Sequence, residues 1–125
     1  MQMAWNLDSD RPIYAQILEV IQFRIIAGQY KSGTKIPSVR ELAAEAGVNP
    51  NTMQKALTEL ERSGLVMALR TSGRIVTEDE NMIRETRNKL AQEQICEFID
   101  RMKKLGFEKE EIVELLTQTG GEKHE

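Results

Sequence analysis

Cysteine is nearly missing from this chain. Cys96 stands alone in 125 residues, and one thiol closes no internal disulfide and builds no thiolate cage for a metal. A reducing cytoplasm is the setting this fits. Histidine is as scarce, since the sole His124 lies in the polar tail Gly120 to Glu125, where a solvated ring is expected. With that sole histidine, no cysteine partner and no clustered carboxylates outside helical surface, neither nucleophilic catalysis nor a zinc site is supported, so an enzyme, a metal or a cofactor is not expected. Long apolar runs are missing too. Even Ile13 to Ala27 carries Gln16, Glu19, Gln22 and Arg24, short of the ~18 unbroken apolar residues of a membrane span. Met1 to Asp10 lacks the basic-then-apolar order of a secretion signal. Aromatics make up only 5%, which leaves the core to Ile, Leu, Val, Ala and Met and favours helices over a sandwich.

What is present suits a soluble, foldable chain of one ordinary domain, or a small domain with an appended helical piece: 40% hydrophobic and 30% charged, with both signs interleaved. The net charge of −3 conceals an asymmetry. Residues 1 to 78 hold nine Lys/Arg against eight Asp/Glu, leaving +1, and residues 79 to 125 hold eight against twelve, leaving −4. A polyanion responds to the local potential of one face, so the average neither requires nor excludes a nucleic-acid partner.

Ile13, Ile17, Ile21 and Ile25 recur every fourth residue, with Tyr14 and Leu18 beside them. With Pro12 at the first helical position, they predict a buried-face helix ending at Gly28. Gly33 and Pro37 bracket Thr34 to Ile36, a connector with room for one edge strand. Ser38 and Glu41 form a capping box for a short helix whose Val39, Leu42, Ala43 and Ala46 face inward before Gly47 stops it. Asn49 caps a third helix with Pro50 at its first position, so a three-residue turn joins the two. Met53, Ala56, Leu57 and Leu60 form its inward stripe, placing Asn51, Lys55 and Thr58 outward with Thr52 and Gln54 at the flanks. Two short apolar runs, Leu65 to Leu69 and Ile75 to Thr77, then bracket the basic, glycine-bearing turn Arg70-Thr-Ser-Gly-Arg74, a hairpin signature. The order is that of a winged helix-turn-helix over residues 1 to 78.

Residues 79 to 125 read differently. Thr77 with Glu80 is a second capping box, and no breaker follows until Gly106, which implies one helix of roughly 40 Å. Its apolar positions are Ile83, Leu90, Ile95, Phe98, Ile99, Met102 and Leu105. Phe107 occupies a hydrophobic-staple position before a last helix carrying Ile112, Val113, Leu115 and Leu116. Such a hairpin exposes more apolar stripe than one chain covers, so Ile83, Leu90, Ile95, Phe98, Ile99, Met102, Leu105, Ile112, Leu115 and Leu116 are expected to pair two copies. The predicted fold class is therefore mostly α with a small β wing, a winged helix-turn-helix followed by a two-helix dimerisation hairpin.

Lys35-Ile-Pro-Ser-Val-Arg-Glu-Leu-Ala, Gly47-Val-Asn-Pro-Asn-Thr-Met and Ala56-Leu-x-x-Leu-x-x-x-Gly-Leu-Val together resemble the GntR family of bacterial transcription regulators over about residues 11 to 78. The opening Pro12-Ile-Tyr-x-Gln-Ile and the short tail resemble its YtrA-like branch. The resemblance implies a homodimeric, sequence-specific regulator, most often a repressor, bound to double-stranded DNA with an inverted-repeat operator and often paired with control of transporter operons. It leaves room for a small-molecule effector of unknown identity. It also implies that Arg40 and Thr52 contact DNA and that Gly73 lets the wing lie in the minor groove. The family often has Arg where Pro50 stands, and losing that guanine reader implies a different operator at that position.

The residues themselves suit such a role. A major groove ~12 Å wide admits one helix and rewards amide and ammonium groups. Ser38, Asn49 and Thr52 suit phosphate oxygens, Asn51, Gln54 and Lys55 can reach base edges, and Arg70 and Arg74 would flank Gly73 with positive charge. Plainer roles compete. Asn49 caps a helix in any protein, Arg40 has Glu41 and Glu45 as ion-pair partners, Asn51, Lys55 and Thr58 suit a solvated face, Met53, Met67 and Met102 suit core filler, and Cys96 suits a partly buried small side chain. The alternative function is a winged-helix protein-interaction module that does not bind DNA. A gel shift against the DNA upstream of its own operon separates the two.

Overall fold

The structure is a computed structural model describing residues 5–120, so His124 lies outside the described residues. The elements run α1 (Ile13–Ile26), α2 (Val39–Ala46), α3 (Pro50–Ser63), β1 (Val66–Ala68), β2 (Arg74–Val76), α4 (Glu80–Lys104) and α5 (Lys109–Gly120). This is the expected mostly helical architecture with a small antiparallel wing. Two compact units divide it, one through Thr86 and one from Arg87.

In the first unit, the fourfold isoleucine spacing of α1 delivers Ile17, Ile21 and Ile25 to the core, where they meet Leu42, Ala43 and Ala46 of α2 and Met53, Ala56, Leu57 and Leu60 of α3. Leu65, Val66, Val76 and Ile36 close that core from the wing side. Each fully buried Leu or Ile contributes about 1.5–3 kcal/mol relative to exposure, and α1 and α3 supply four buried side chains each. Pro12 sits at the N-cap of α1, one position earlier than expected, with extended backbone. Gln16 is buried and fully used: its Oε1 accepts the Asp8 N–H at 2.7 Å, and its Nε2 donates to the carbonyls of Asp8 and Arg11 at 2.7 and 3.1 Å. The segment before α1 is thereby laced to the helix.

The same segment carries Trp5, whose indole N–H donates to Glu45 of α2 at 3.0 Å. Arg24 of α1 donates to that carboxylate and to the Tyr30 hydroxyl, with its guanidinium 4.8 Å from the Trp5 ring centre. The Arg24 hydrogen bond holds the Glu45 carboxyl below its ordinary range, although burial pushes the other way.

Strands β1 and β2 pair antiparallel with Val66 opposite Val76 and Ala68 opposite Arg74. The connector before α2 adds an edge: Gly33 N–H donates to Val76 O, Val76 N–H to Thr34 O and Ile36 N–H to Arg74 O, with a bridge between Lys35 and Ile75. Met67 is 47% exposed on the wing rather than in the core, because its side chain lies on the face of the strand opposite Val66.

Helix α4 does not begin with the Thr77–Glu80 box. Thr77 is buried, and its N–H remains on Leu65 O in the wing, so its hydroxyl accepts only the Asp79 N–H. Asp79 becomes the cap, its carboxylate accepting the Met82 N–H at 3.1 Å. Met82 and Ile83 pack on the core of the first unit. Ile83 therefore belongs to that core and not to the apolar stripe assigned to pairing.

In the second unit, α4 ends in a Schellman turn: Gly106 takes φ +98°, its N–H reaches Lys103 O and the Phe107 N–H reaches Met102 O. Glu108 is the N-cap of α5, with its N–H on the Glu111 carboxylate, and this places Phe107 and Ile112 at staple positions. Ile112 is 2% exposed, so it is buried within its own chain. Ile95, Leu105, Leu115 and Leu116 are exposed, whereas Leu90, Phe98, Ile99 and Met102 are half-buried. Cys96 is exposed, contrary to the partly buried placement expected, on a helix with no buried residue.

Candidate nucleic-acid interface

Helices α2 and α3 are set at a fixed angle by a turn of Gly47, Val48 and Asn49, with Gly47 at φ +73°. Both start with the caps their sequences announce. Ser38 Oγ accepts the Glu41 N–H while Glu41 accepts the Ser38 N–H, and Asn49 Oδ1 accepts the Asn51 N–H at 2.7 Å. Those side chains hold the helix starts in shape, which is a structural duty; the Ser38 hydroxyl still carries a proton to donate.

Burial of Met53, Ala56, Leu57 and Leu60 turns the opposite side of α3 to solvent. Asn51, Gln54 and Lys55 are exposed there, and Thr52 and Thr58 are half-buried at its margins. Gln54 makes one long contact, 3.5 Å to the Thr58 hydroxyl. Arg40, in the first turn of α2, is exposed and forms no ion pair with Glu41 or Glu45 among the described residues. Glu45 is engaged by Arg24, and Glu41 is engaged by the cap. The Lys55 ammonium does not project freely from α3: it lies 4.2 Å from the centre of the Tyr14 ring on α1. Ile13, Tyr14, Asn51, Thr52 and Lys55 line an open depression of about 430 Å³ at that junction.

The wing differs from expectation in its charges. Arg74 faces inward to α3, its Nε bonded to the Glu61 carboxylate and its side chain 12% exposed, so its charge is neutralised within the fold. Arg70 is exposed in the turn closed by the Leu69 N–H on Gly73 O. A second wing cation comes from elsewhere in the chain: Lys35 lies over Gly73, so closely that a Cβ there would meet Lys35 Cε at 2.8 Å. Backbone conformation, φ +85°, is what requires glycine at position 73, since the overlying end of the flexible Lys35 chain can swing aside at little cost. Lys35 and Tyr14 were missed as site residues because both contacts join segments distant in sequence. Lys35 had a signal, since a basic residue opens the Ile-Pro-Ser motif; Tyr14 read only as part of a core stripe.

The exposed amides, the exposed Arg40 guanidinium and the lysines bordering α3 and the wing are donors only or donor-rich groups. Such a face suits an acceptor-lined polyanion groove better than a small apolar ligand. No metal-holding group of His, Cys, Asp and Glu occurs among the described residues, and among them no helix is long and apolar enough to cross a membrane.

Residues 13–76 match the family described as bacterial regulatory proteins, gntR family. The chain is 41% identical over 109 residues to the HTH-type transcriptional regulator YhcF of Bacillus subtilis, covering 87% of this chain and 90% of that one. It is 35% identical over 123 residues to the HTH-type transcriptional repressor YtrA of the same organism, covering 94% and 95%. A GntR family transcriptional regulator from Listeria monocytogenes superposes with a TM-score of 0.83 at 39% identity, over 90% of this chain and 99% of the other. The DNA-binding domain of AraR in complex with operator ORE1 matches with a TM-score of 0.52 at 32% identity, over 60% of this chain and 94% of that domain. The chain belongs to the GntR family of bacterial regulatory proteins and is a DNA-binding, non-enzymatic transcription regulator with YtrA among its relatives.

Proposed function

We propose that the protein is a homodimeric repressor that reads an inverted-repeat operator, with α3 of each copy in a major groove and the wing beside it. The observation that carries this reading is the outward face of α3, where Asn51, Gln54 and Lys55 stand exposed, together with an exposed Arg40 on α2 that has no ion pair among the described residues. Asn51 and Gln54 offer amides to base edges; Ser38, Arg40, Thr52 and the N-terminal backbone around Asn49 meet phosphates. Arg70, with Lys35 over Gly73, gives the wing its positive charge, and Arg74 acts as the strut that fixes β2 to α3.

Dimerisation rests on the second unit, where Ile95, Leu105, Leu115 and Leu116 are exposed and Leu90, Phe98, Ile99 and Met102 are incompletely covered. Pairing two copies buries that surface, and two heads then fit half-sites about one helical turn apart. Repression is supported by likeness to YtrA, named a repressor, over nearly its whole length. The targets this reading assigns are the protein's own operon and a transporter operon. The unit ending at Thr86 then serves as the reading head and the unit from Arg87 as the pairing element.

A gel shift with the DNA upstream of its own operon, against scrambled DNA of the same length and at stated salt, is the test. Selective retardation is expected, with Arg40→Ala weakening it. Equal binding to both duplexes, or none, would favour the protein-interaction module instead.

A further inference from the structure

Lys55 is an exposed cation on the outward half of α3, and another element of the head holds it in place. Its ammonium lies 4.2 Å from the centre of the Tyr14 ring, and that ring is itself fixed, half-buried against the core through α1. A ring anchored by packing is a rigid platform, and a lysine restrained on it has already given up some of the rotamer freedom that a free surface lysine loses on binding. The platform stands to the α1 side of α3, and together with Ile13, Asn51 and Thr52 it lines an open depression. Gln54 does not line that depression, and its amide makes its contact with the Thr58 hydroxyl instead.

We propose that Tyr14 is a positioning residue that holds Lys55 as a phosphate contact, with the depression receiving the sugar–phosphate backbone beside the groove that α3 enters. Lys55 is then a point charge that adds affinity without reading sequence, which separates it from Asn51 and Gln54. The inference rests on α3 being the DNA-facing helix and gives Lys55 a more specific role on it.

Fluorescence anisotropy with the full-length protein tests this, using the upstream duplex and a scrambled duplex between ~50 and 200 mM salt. Lys55→Ala should weaken both duplexes by the same factor and flatten the slope of log K against log[salt] by about 1 per bound head. Tyr14→Leu keeps an apolar side chain on the core and should weaken both about two- to five-fold, the range a surface cation–π contact supports. Tyr14→Phe keeps the ring face and should bind like wild type. In the free protein, the Lys55 ε-methylene proton resonance should lie upfield through the ring current, stay there in Tyr14→Phe, and return to its random-coil position in Tyr14→Leu.

Unchanged or tighter binding by Tyr14→Leu overturns the proposal, as does a Tyr14→Phe as weak as Tyr14→Leu, which would make the hydroxyl the active group. A loss in Lys55→Ala confined to the upstream duplex overturns it too, by making Lys55 a base reader. Should Tyr14→Leu fail to fold, an unshifted Lys55 resonance in the wild type and Tyr14→Phe proteins is equally decisive against it. Wild-type protein that binds neither duplex overturns the DNA-facing assignment of α3 itself, whereas wild-type binding that Tyr14→Leu leaves untouched overturns this inference alone.

Discussion

Two arginines of the wing, four residues apart, are set to opposite tasks by a single carboxylate. Arg74 is held by Glu61 with little exposure, and Arg70 is solvated. Removing one partner of a part-buried pair strands the other, whereas removing an exposed arginine takes only its charge from the surface. Arg74→Ala is therefore expected to lower the melting temperature while Arg70→Ala lowers DNA affinity at unchanged stability; thermal melts and anisotropy on both variants check the split. Glu45 gives a pH signature. Its folded pKa is depressed by the Arg24 hydrogen bond, so its stabilisation is complete above the ordinary value near 4.5 and is lost as pH falls through the lowered folded value. Thermal melts at pH 7 and in the acid range should show wild type losing more stability than Glu45→Gln on acidification. Equal losses would show that the Trp5–Arg24–Glu45 cluster is not a source of acid sensitivity.

At the scale of elements, what the amino-acid sequence revealed follows how local each signal is. The caps of α2 and α3 were legible because Ser38–Glu41 and Asn49–Asn51 lie within one turn, and the apolar stripes were legible because burial follows helical period. The start of α4 was misplaced by two residues for a nonlocal reason: Thr77 is kept in the wing by Leu65. Long-range partners left no periodic trace, which is why the pairing of Arg74 with Glu61, of Trp5 with Glu45 and of Lys55 with Tyr14 emerged only in three dimensions. Two element-scale expectations follow. Ser38→Ala removes one half of the box and should destabilise the head by about 1 kcal/mol in chemical denaturation. Gly73→Val should reduce DNA affinity by forcing Lys35 off the wing and straining a backbone at φ +85°, with the oligomeric state unchanged in sedimentation. Unaltered affinity would place the wing off the DNA.

For the whole molecule, two compact units imply that reading and pairing are separable. Because Met82 and Ile83 pack on the core of the head, the informative truncation removes residues 87–125 and leaves the first turns of α4 in place. That fragment should fold, sediment as a monomer and bind a single half-site like the full chain, yet lose a factor of ~10²–10⁴ on the inverted repeat as avidity disappears. A truncated form that still sediments as a dimer would move the pairing surface into the head. The central claim, that this face of α3 and the wing grips DNA through its phosphates while reading its bases, is tested most directly by one experiment: an anisotropy titration of the full-length protein on its upstream duplex and on a scrambled duplex over a salt series. Tighter binding to the upstream duplex is expected at every salt, with log K falling linearly as log[salt] rises for both duplexes. A flat salt dependence, or identical affinity for the two duplexes, would contradict it.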